Sequence, residues 1–316
     1  MKRLYTVAAL ALFLVPTAFG QAPSQAPAPG PVSLPVLPGV DVTVLVENMA
    51  GDPSLLGEWV LSFLIETGKH RILFDAGGGR TLFENARALK VDLPKLDAIV
   101  VSHGHFDLTG GLGKALETSG PGDLFIHPAA FAPRYFKGRE RIVREENGIS
   151  RDVLRGKARG FHETSLPTLV REGVMVTGQV PRTTDFEDTG VGGFIYLDPD
   201  MKTPDLVPDD QAIFFRVPEG VVVILGCAHA GVVNTARYVM KLTGAEKIYA
   251  VMGGTHLLSA SPQRMQATIE AFRQMGIEKI LLGHCTGVNS YAQLAGAFPG
   301  RCAWPPTGAK IHFGGK

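Results

Sequence analysis

Two histidines and an aspartate follow directly on an apolar run in residues 98–112, AIVVSHGHFDLTGGL. Imidazole nitrogens are ligands for zinc-like ions, and a catalytic zinc site uses three protein ligands and a water. Gly104 stands between His103 and His105 and lets the backbone bend so that both rings can turn inward. A carboxylate beside them, here Asp107, suits a second metal ion or the orientation of an attacking water. The spacing therefore predicts a metal site with Asp107 as its catalytic carboxylate.

Three later strand-like segments also lead into a histidine, at His229, His256 and His284. Ligand groups gather in loops beyond the strand ends of an open α/β sheet, so histidines from several such ends can converge. A single histidine after a strand is usually a capping or packing residue, but the repetition of the pattern favours ligation. We therefore expect six metal ligands, namely His103, His105, Asp107, His229, His256 and His284.

Two polar residues are candidates for substrate binding. Arg182 lies in a turn-rich segment, and its guanidinium suits two-pronged capture of phosphate or carboxylate; the alternative is a surface salt bridge. Asn48 is the last residue of a predicted strand and is expected to line the mouth of the site, although such residues commonly satisfy only backbone groups. Cys227, two residues before His229, is interpreted as a small buried filler rather than a ligand. Asp75 is either a loop cap or an acceptor that orients a ligand histidine.

Alternating strands and helices must position these side chains. Strands are predicted at 42–48, 59–67, 71–79, 96–102, 212–218, 221–226, 247–254 and 279–284. Helices are predicted at 79–91, 232–244, 262–276 and near 290–297. Gly244 and Gly276 stand where helix C-caps are expected, and the region 129–208 is only weakly patterned. The mixture predicts a layered α/β fold with helices covering the faces of sheets.

The N-terminus has the pattern of an export signal. Lys2 and Arg3 precede an apolar stretch that ends before Pro16, and a small-x-small cleavage site follows. The apolar run is too short for a spanning helix, so we expect a cleaved signal peptide at 1–20 rather than an uncleaved anchor. Residues 21–40 are rich in proline and alanine and form a linker or an arm along the domain. The folded domain is then 41–316, located in the periplasm or secreted, without a stable membrane anchor.

The charge balance of the chain limits the classes of molecule that it is expected to bind. The 316 residues contain 31 lysines and arginines against 30 aspartates and glutamates, with no basic stripe, so nucleic acid is not expected as a partner. A small molecule, either neutral or anionic, fits better, while composition sets no expectation for oligomeric state. The three cysteines leave at least one thiol unpaired within the chain, and a Cys285–Cys302 disulfide stays open.

The motif SHGHFDLTGG resembles the His-x-His-x-Asp-His signature of metallo-β-lactamase-fold hydrolases. The segments FLIETGKHRILFDAGGG, GCAHAGVVNT and LLGHCTG resemble the opening hairpin and the later metal-ligand loops of that fold, so the likeness covers nearly all of 41–316. More narrowly, DDQAIFF, GGTHLL and GHCTG resemble the branch named for dihydropterin-methyl-ribofuranosyl-aminobenzene-phosphate synthase. The resemblance implies an α/β fold of the metallo-β-lactamase-like αββα type, a sandwich of two mixed sheets flanked by helices.

The resemblance also implies how the ligands are divided between two metal ions. By position, His103, His105 and His229 would hold the first metal ion, and Asp107 and His284 would contribute to the second. The chain departs from the family pattern at Leu108, which stands where the signature has histidine and cannot ligate. The usual bridging aspartate is also missing, because that strand end reads VMGGTHL, and His256 is expected to fill part of the gap.

These observations predict an exported metal-dependent hydrolase that uses a metal-activated water on an ester, lactone, amide or phosphoester. Zinc is the expected cofactor, one or two ions per chain, with manganese or iron as alternatives. A second hypothesis follows the branch name and is C–N bond formation on a pterin-like substrate, against which export argues because the activated pterins are cytosolic intermediates. A third hypothesis is a metal- or ligand-binding module without turnover, which would result from the loss of the signature histidine at position 108.

Overall fold

The computed structural model describes residues 30–120, 122–139, 141–145, 150–188 and 195–315. The predicted signal peptide at 1–20, and residues 21–29 of the predicted linker, lie outside the described residues. Within the described ranges, no helix combines the length and the apolar character needed to cross a bilayer.

Seventeen strands are described. In chain order they are β1 (Gly39–Val46), β2 (Ser62–Glu66), β3 (Arg71–Phe74), β4 (Ala98–Val100), β5 (Asp123–Ile126), β6 (Tyr135–Lys137), β7 (Ile142–Arg144), β8 (Gly160–Glu163), β9 (Thr168–Arg171), β10 (Val174–Val176), β11 (Ile195–Tyr196), β12 (Ala212–Val217), β13 (Gly220–Leu225), β14 (Ile248–Gly253), β15 (Lys279–Leu282), β16 (Cys302–Ala303) and β17 (Lys310–Gly314).

Seven α-helices connect or flank these strands. They are α1 (Leu82–Ala88), α2 (Phe106–Thr109), α3 (Leu112–Ser119), α4 (Arg151–Lys157), α5 (Val232–Thr243), α6 (Pro262–Gln274) and α7 (Val288–Ala297). Short 3-10 helices lie at Leu93–Lys95, Pro128–Phe131 and His284–Thr286. Gly244 and Gly276 both have a φ of 64°, and they follow α5 and α6 as the C-cap prediction expects, because glycine adopts the left-handed conformation without steric cost.

Two seven-stranded sheets form the body of the fold. The first has the order β17-β1-β2-β3-β4-β5-β8 and the second has the order β16-β15-β14-β13-β12-β10-β9. Each sheet is mixed: β3, β4, β5 and β8 pair in parallel, as do β13 to β16, and the remaining pairs are antiparallel. A third, three-stranded sheet, β11-β6-β7, lies in the weakly patterned region.

Three apolar layers hold the sheets and helices together. The middle layer joins the inner faces of both sheets and contains Phe63 and Phe74 from the first and Phe215 from the second. One outer layer packs α5 and α6 on the second sheet, and the other packs α1 and α3 on the first. Burying each of these phenylalanine side chains stabilises the folded state by about 1.5–3 kcal/mol relative to leaving it exposed. The predicted αββα sandwich of two mixed sheets is therefore confirmed.

The sequence patterns missed or misplaced a few elements. The helix α3 and the strand β5, two short segments, were not predicted, and the region 129–208 contains six strands and α4. Strand β1 begins at Gly39, two residues before the predicted domain start. The residues just before it run along the domain surface, since the Val32 amide donates to the Leu242 carbonyl at 2.6 Å and the Leu37 amide to the Arg216 carbonyl at 2.8 Å.

Candidate metal centre

Three buried histidines converge between the two sheets. His103 and His105 lie in the loop after β4, and His229 lies in the loop after β13, so the two loops come from different sheets. The ring centroids are 4.6 Å apart for His103 and His105, 4.6 Å for His103 and His229, and 4.9 Å for His105 and His229. The structure thus brings together the three residues predicted to hold the first ion.

A carboxylate and a fourth histidine meet beside this group. Asp107 lies in α2, and His284 begins the short 3-10 helix after β15. The Nε2 of His284 is 3.1 Å from Oδ2 of Asp107. The two predicted contributors to the second ion are therefore adjacent.

The pKa values of these groups follow from burial and from one another. Burial alone would raise the pKa of Asp107, but the hydrogen bond and charge of His284 outweigh it and lower the pKa to about 2. Burial opposes protonation of His284, yet the charges of Cys285 and Asp107 and the Asp107 hydrogen bond raise its pKa to about 9. Burial lowers the pKa of His103 well below its ordinary value, which favours the neutral imidazole that metals require.

His256 lies next to His229 but faces sulfur atoms. Its ring centroid is 4.2 Å from that of His229, and its backbone amide donates to Sγ of Cys285 at 3.3 Å. Its donor nitrogen groups with the sulfurs of Cys227 and Cys285. The structure thus places His256 at the edge of the histidine cluster, in a sulfur-containing environment that the sequence did not predict.

The donor atoms fit a divalent transition metal. Four groups of three donors have their ligand atoms within 4.8 Å of one another: His103–His105–Asp107, His103–Cys227–His229, Asp107–Cys227–His284 and Cys227–His256–Cys285. Imidazole, carboxylate and thiolate together suit zinc, and imidazole with carboxylate also suits iron or manganese. All three cysteines are free thiols, so the Cys285–Cys302 disulfide left open by the sequence is not formed.

A buried arginine holds the loop that carries the first two histidines. Arg134 is 1% exposed and donates to Asp205 at 2.6 Å and to Asp209 at 2.9 Å. Asp209 in turn accepts the backbone amide of Gly104 at 2.7 Å, and Asp205 lies 3.5 Å from Nε2 of His105. A carboxylate beside a ligand imidazole fixes the orientation of the ring, so this network positions the His103–His105 loop.

A second carboxylate acts through a serine. Asp75 is fully buried at the end of β3 and accepts the backbone amide of Ser102 at 2.7 Å. The hydroxyl of Ser102 lies 3.0 Å from Nδ1 of His103. Burial raises the pKa of Asp75 well above its usual range. Of the two roles weighed for Asp75, these contacts correspond to support of a ligand histidine.

The two predicted substrate-binding residues form hydrogen bonds with the loops that carry His229 and His284. Arg182 donates to the carbonyl of His229 at 2.5 Å and to the carbonyl of Leu206 at 2.6 Å. The amide of Asn48 donates to the carbonyl of His284 at 3.2 Å, and its Oδ1 lies 3.4 Å from Nδ1 of that ring. Both are positioning residues in these contacts, and their binding of a substrate stays a prediction.

Close contacts with neighbouring atoms explain two glycines, because a side chain at either position would clash. A Cβ on Gly104 would lie 2.2 Å from the carbonyl oxygen of Ala130, and one on Gly226 would lie 2.1 Å from Oγ of Ser102.

Two histidines of the site have an unusual backbone conformation. His256 and His284 have φ values of 48° and 52°, in the left-handed region that residues other than glycine occupy uncommonly. Such strained backbone clusters at functional sites, where the surrounding structure holds it in place.

Sequence reasoning did not single out several residues at this centre, Glu47 among them, and it gave Cys227 no part in metal binding. Glu47, 1% exposed at the end of β1, accepts the His284 backbone amide at 2.7 Å and has no spacing motif that would reveal it. Cys227, interpreted from the sequence as a small buried filler, is buried in the apolar layer between the sheets, and its sulfur also belongs to three of the four donor groups. Its signal was present in the sequence, because it follows β13 in the same strand-end loop as His229.

The chain is similar to known proteins over most of its length. Residues 60–284 match the profile of the family described as the Metallo-beta-lactamase superfamily. The chain is 30% identical over 262 residues to the 7,8-dihydropterin-6-methyl-4-(beta-D-ribofuranosyl)-aminobenzene-5'-phosphate synthase of Methanocaldococcus jannaschii, covering 79% of this chain and 89% of that protein. It is 31% identical over 256 residues to an uncharacterized protein of the same archaeon, covering 80% and 93%.

Solved structures share the architecture. Tm1679, a metal-dependent hydrolase of the beta-lactamase superfamily, superposes with a TM-score of 0.72 and 26% identity over 86% of this chain and 98% of its own. The metallo-beta-lactamase fold protein YhfI from Bacillus subtilis has a TM-score of 0.53 and 14% identity, over 87% of this chain and 100% of its own, and shows likeness of fold alone. The resemblance expected from the SHGHFDLTGG motif is confirmed.

Proposed function

We propose that this chain, which belongs to the metallo-beta-lactamase superfamily, is a metal-dependent hydrolase of a small ester, lactone, amide or phosphoester. The observation that carries the proposal is the convergence of His103, His105 and His229 next to the Asp107–His284 pair. Imidazoles and a carboxylate that come together from two sheets form a donor set of the kind that binds a divalent metal ion.

In this proposal His103, His105 and His229 hold one divalent ion, zinc in the first place, and Asp107 and His284 contribute to a second. A bound ion of this kind supplies a water nucleophile at neutral pH and polarises the carbonyl or phosphoryl oxygen of the substrate. His256 remains a proposed ligand at the edge of the cluster.

The protein groups around the ion orient the reactants. The low pKa of Asp107 keeps its carboxylate unprotonated, so it can accept a hydrogen bond from the attacking water and aim it. The carboxylate is partly accessible, with 26% of its side chain exposed, whereas His284 beneath it is fully buried. Asp107 therefore presents its charge toward the side from which a substrate arrives.

Aromatic surface at this entrance suits a substrate with an apolar part. The Trp59 ring lies 5.7 Å from the ring of His284 and is 55% exposed, and Phe106, next to Asp107, is 42% exposed. Aromatic rings bury large area on contact with a ligand. We propose that the guanidinium donors of Arg182 that do not bind the carbonyls of His229, Leu206 and Val207 meet an anionic group of the substrate.

A transferase is the second candidate, and the M. jannaschii synthase relative favours it. In its reaction an arylamine nitrogen would attack the activated carbon of a pterin diphosphate, so that a C–N bond forms, the C–O bond to diphosphate breaks, and the amine proton passes to solvent. The same metal centre and the same Asp107 would serve this reaction, and the two candidates differ in their products. The discriminating result is product analysis: cleavage by water of a single substrate, or condensation of two substrates.

Elemental analysis combined with turnover tests the hydrolase proposal. The protein is purified without chelator, its metal content is measured, and a para-nitrophenyl ester, an aryl lactone and bis(para-nitrophenyl) phosphate are assayed before and after chelation and metal return. We expect bound metal and turnover that chelation abolishes and metal restores. His103→Ala should lose both, while His70→Ala, in the turn between β2 and β3, should keep both. Metal binding without turnover of any of these substrates would contradict the hydrolase and leave the transferase and the non-catalytic module as the candidates.

We also propose export, on the basis of the basic and apolar N-terminal pattern in 1–20. The test is N-terminal sequencing of protein recovered from the periplasmic and extracellular fractions. A mature N-terminus close to residue 21 supports export, and a full-length cytoplasmic protein contradicts it.

A further inference from the structure

Cys227 occupies the middle of the donor set. It lies in the loop between β13 and His229 and is 1% exposed. Its Sγ lies within 4.8 Å of the donor atoms of Asp107 and His284 in one group, and within the same distance of those of His103 and His229 in another. A single sulfur thus faces both of the ion positions proposed above.

Without it the second ion position is short of a ligand, because His256, which was expected to fill part of this gap, groups with Cys227 and Cys285 rather than with Asp107 and His284. Leu108 stands where the family signature has histidine, and its side chain is 0% exposed within the apolar layer between the sheets. Asp107 and His284 then provide two donors, whereas protein zinc sites use three or four. Cys227 and Leu108 both belong to the buried layer between the sheets, and the Cys227 sulfur lies within 4.8 Å of the donor atoms of Asp107 and His284.

The distances suit a common ion. Donor atoms bound about 2.0–2.3 Å from a tetrahedral zinc lie roughly 3.3–3.8 Å apart. The Asp107, Cys227 and His284 donors already lie within 4.8 Å of one another, so small side-chain adjustments bring them to this spacing. Thiolate, carboxylate and imidazole are all accepted zinc ligands.

We propose that Cys227 is a metal ligand, and that its sulfur completes the second ion site with Asp107 and His284 in place of the histidine that Leu108 replaces. The inference rests on the proposed metal-dependent function and deepens it by naming a ligand of that site. On binding, the thiol loses its proton to solvent and a metal–sulfur bond forms, so no oxidant or reductant is needed.

Cobalt substitution reports the bond directly. Co²⁺ is added to metal-free wild-type protein, and the thiolate-to-cobalt charge-transfer absorption in the near ultraviolet is recorded with the number of ions bound. We expect a sulfur band in the wild type. Cys227→Ser should lose the band and about one bound ion per chain, because serine is a far weaker ligand. Cys302→Ser is the matched control, since Cys302 is a half-buried free thiol in β16 outside the four donor groups, and it should keep the band and both ions.

X-ray absorption at the zinc edge provides a readout that does not depend on Cys227→Ser. Because Cys285 also belongs to a donor group, Cys285→Ser is measured beside the wild type. A sulfur shell about 2.3 Å from the metal in both proteins supports the inference even where Cys227→Ser folds poorly, and loss of the shell in Cys285→Ser assigns the sulfur to Cys285 and overturns it. Cobalt or zinc bound without any sulfur signal overturns the role of Cys227 and leaves the proposed function standing. A sulfur band that persists in Cys227→Ser also overturns it. A wild-type protein that binds no metal overturns the proposed function and this inference together.

Discussion

The side chains of His284 and Asp107 meet at 3.1 Å, from Nε2 to Oδ2, although 177 residues separate them in the sequence. His284 is fully buried and is held from behind by Glu47, whose Oε1 accepts its backbone amide, and by Asn48. The pair is therefore built by three separate segments of the chain. Because the pair lies beside the three-histidine cluster, substitutions of Asp107 and His284 test the proposed site directly.

Asp107→Asn removes the negative charge but keeps the shape of the side chain. We expect activity to fall by about 10²–10⁴, the range for loss of a positioned acid–base group, and metal content to fall by about one ion per chain. Steady-state kinetics and elemental analysis measure the two effects. Asp52→Asn, in an exposed loop, is the control and should match the wild type. Unchanged activity in Asp107→Asn would show that the carboxylate has no catalytic role.

The same pair predicts the pH dependence of stability in the metal-free protein. The pKa of His284 rises from 6.5 to about 9, so its contribution is complete below pH 6.5 and is lost as the pH rises through about 9. The pKa of Asp107 falls from 3.8 to about 2, so its contribution is present above pH 3.8 and is lost as the pH falls through about 2. Denaturant titrations of the metal-free wild type should show these losses, and His284→Gln should lack the alkaline one.

Gly104→Ala tests the close backbone approach inside the His-x-His loop. The new Cβ would lie 2.2 Å from the Ala130 carbonyl oxygen, so the loop must shift, at a cost of about 1–3 kcal/mol in the free energy of unfolding. We also expect weaker metal binding by titration, since the loop aims two ligands. Gly113→Ala is the control, because its Cβ meets nothing within 4 Å in α3, and it should stabilise by up to about 1 kcal/mol. Equal stabilities of the two variants would contradict the argument.

Arg134→Met tests the buried ion network. It leaves Asp205 and Asp209 as buried, uncompensated carboxylates, and we expect a loss of about 3–5 kcal/mol in the free energy of unfolding, measured by chemical denaturation. Lys69→Ala breaks the exposed Lys69–Glu172 pair and should cost less than about 1 kcal/mol. A similar small cost for both variants would show that the network is not needed to hold the His103–His105 loop.

Periodicity and motif reading located much of the fold and the centre of the site. The strand-end histidines His103, His229 and His284 were recognisable because each follows a strand-length apolar segment. The longer elements, such as α5, α6 and β12 to β15, lie close to their predicted bounds. Short elements such as α3 and β5 were missed because a few residues carry too little periodic signal.

The supporting residues were beyond sequence reasoning. Arg134 binds Asp205 and Asp209 across 71 and 75 residues, and Glu47 reaches the His284 amide across 237. Acidic and basic residues at such separations have no spacing that distinguishes them from a solvated surface. Cys227 was visible next to His229, but a buried cysteine is usually a small apolar residue, so its neighbours had to be known first.

The sequence by itself determined which side chains end the strands and what chemistry they can perform, since residue type and local periodicity are properties of short segments. Only the tertiary structure decided which donors share a site. His103 and His229 come from different sheets, and their 4.6 Å ring separation is set by how the two sheets pack across the apolar layer between them. That packing also brought Cys227 to Asp107 and His284, because the distance between loops of separate sheets depends on the whole core.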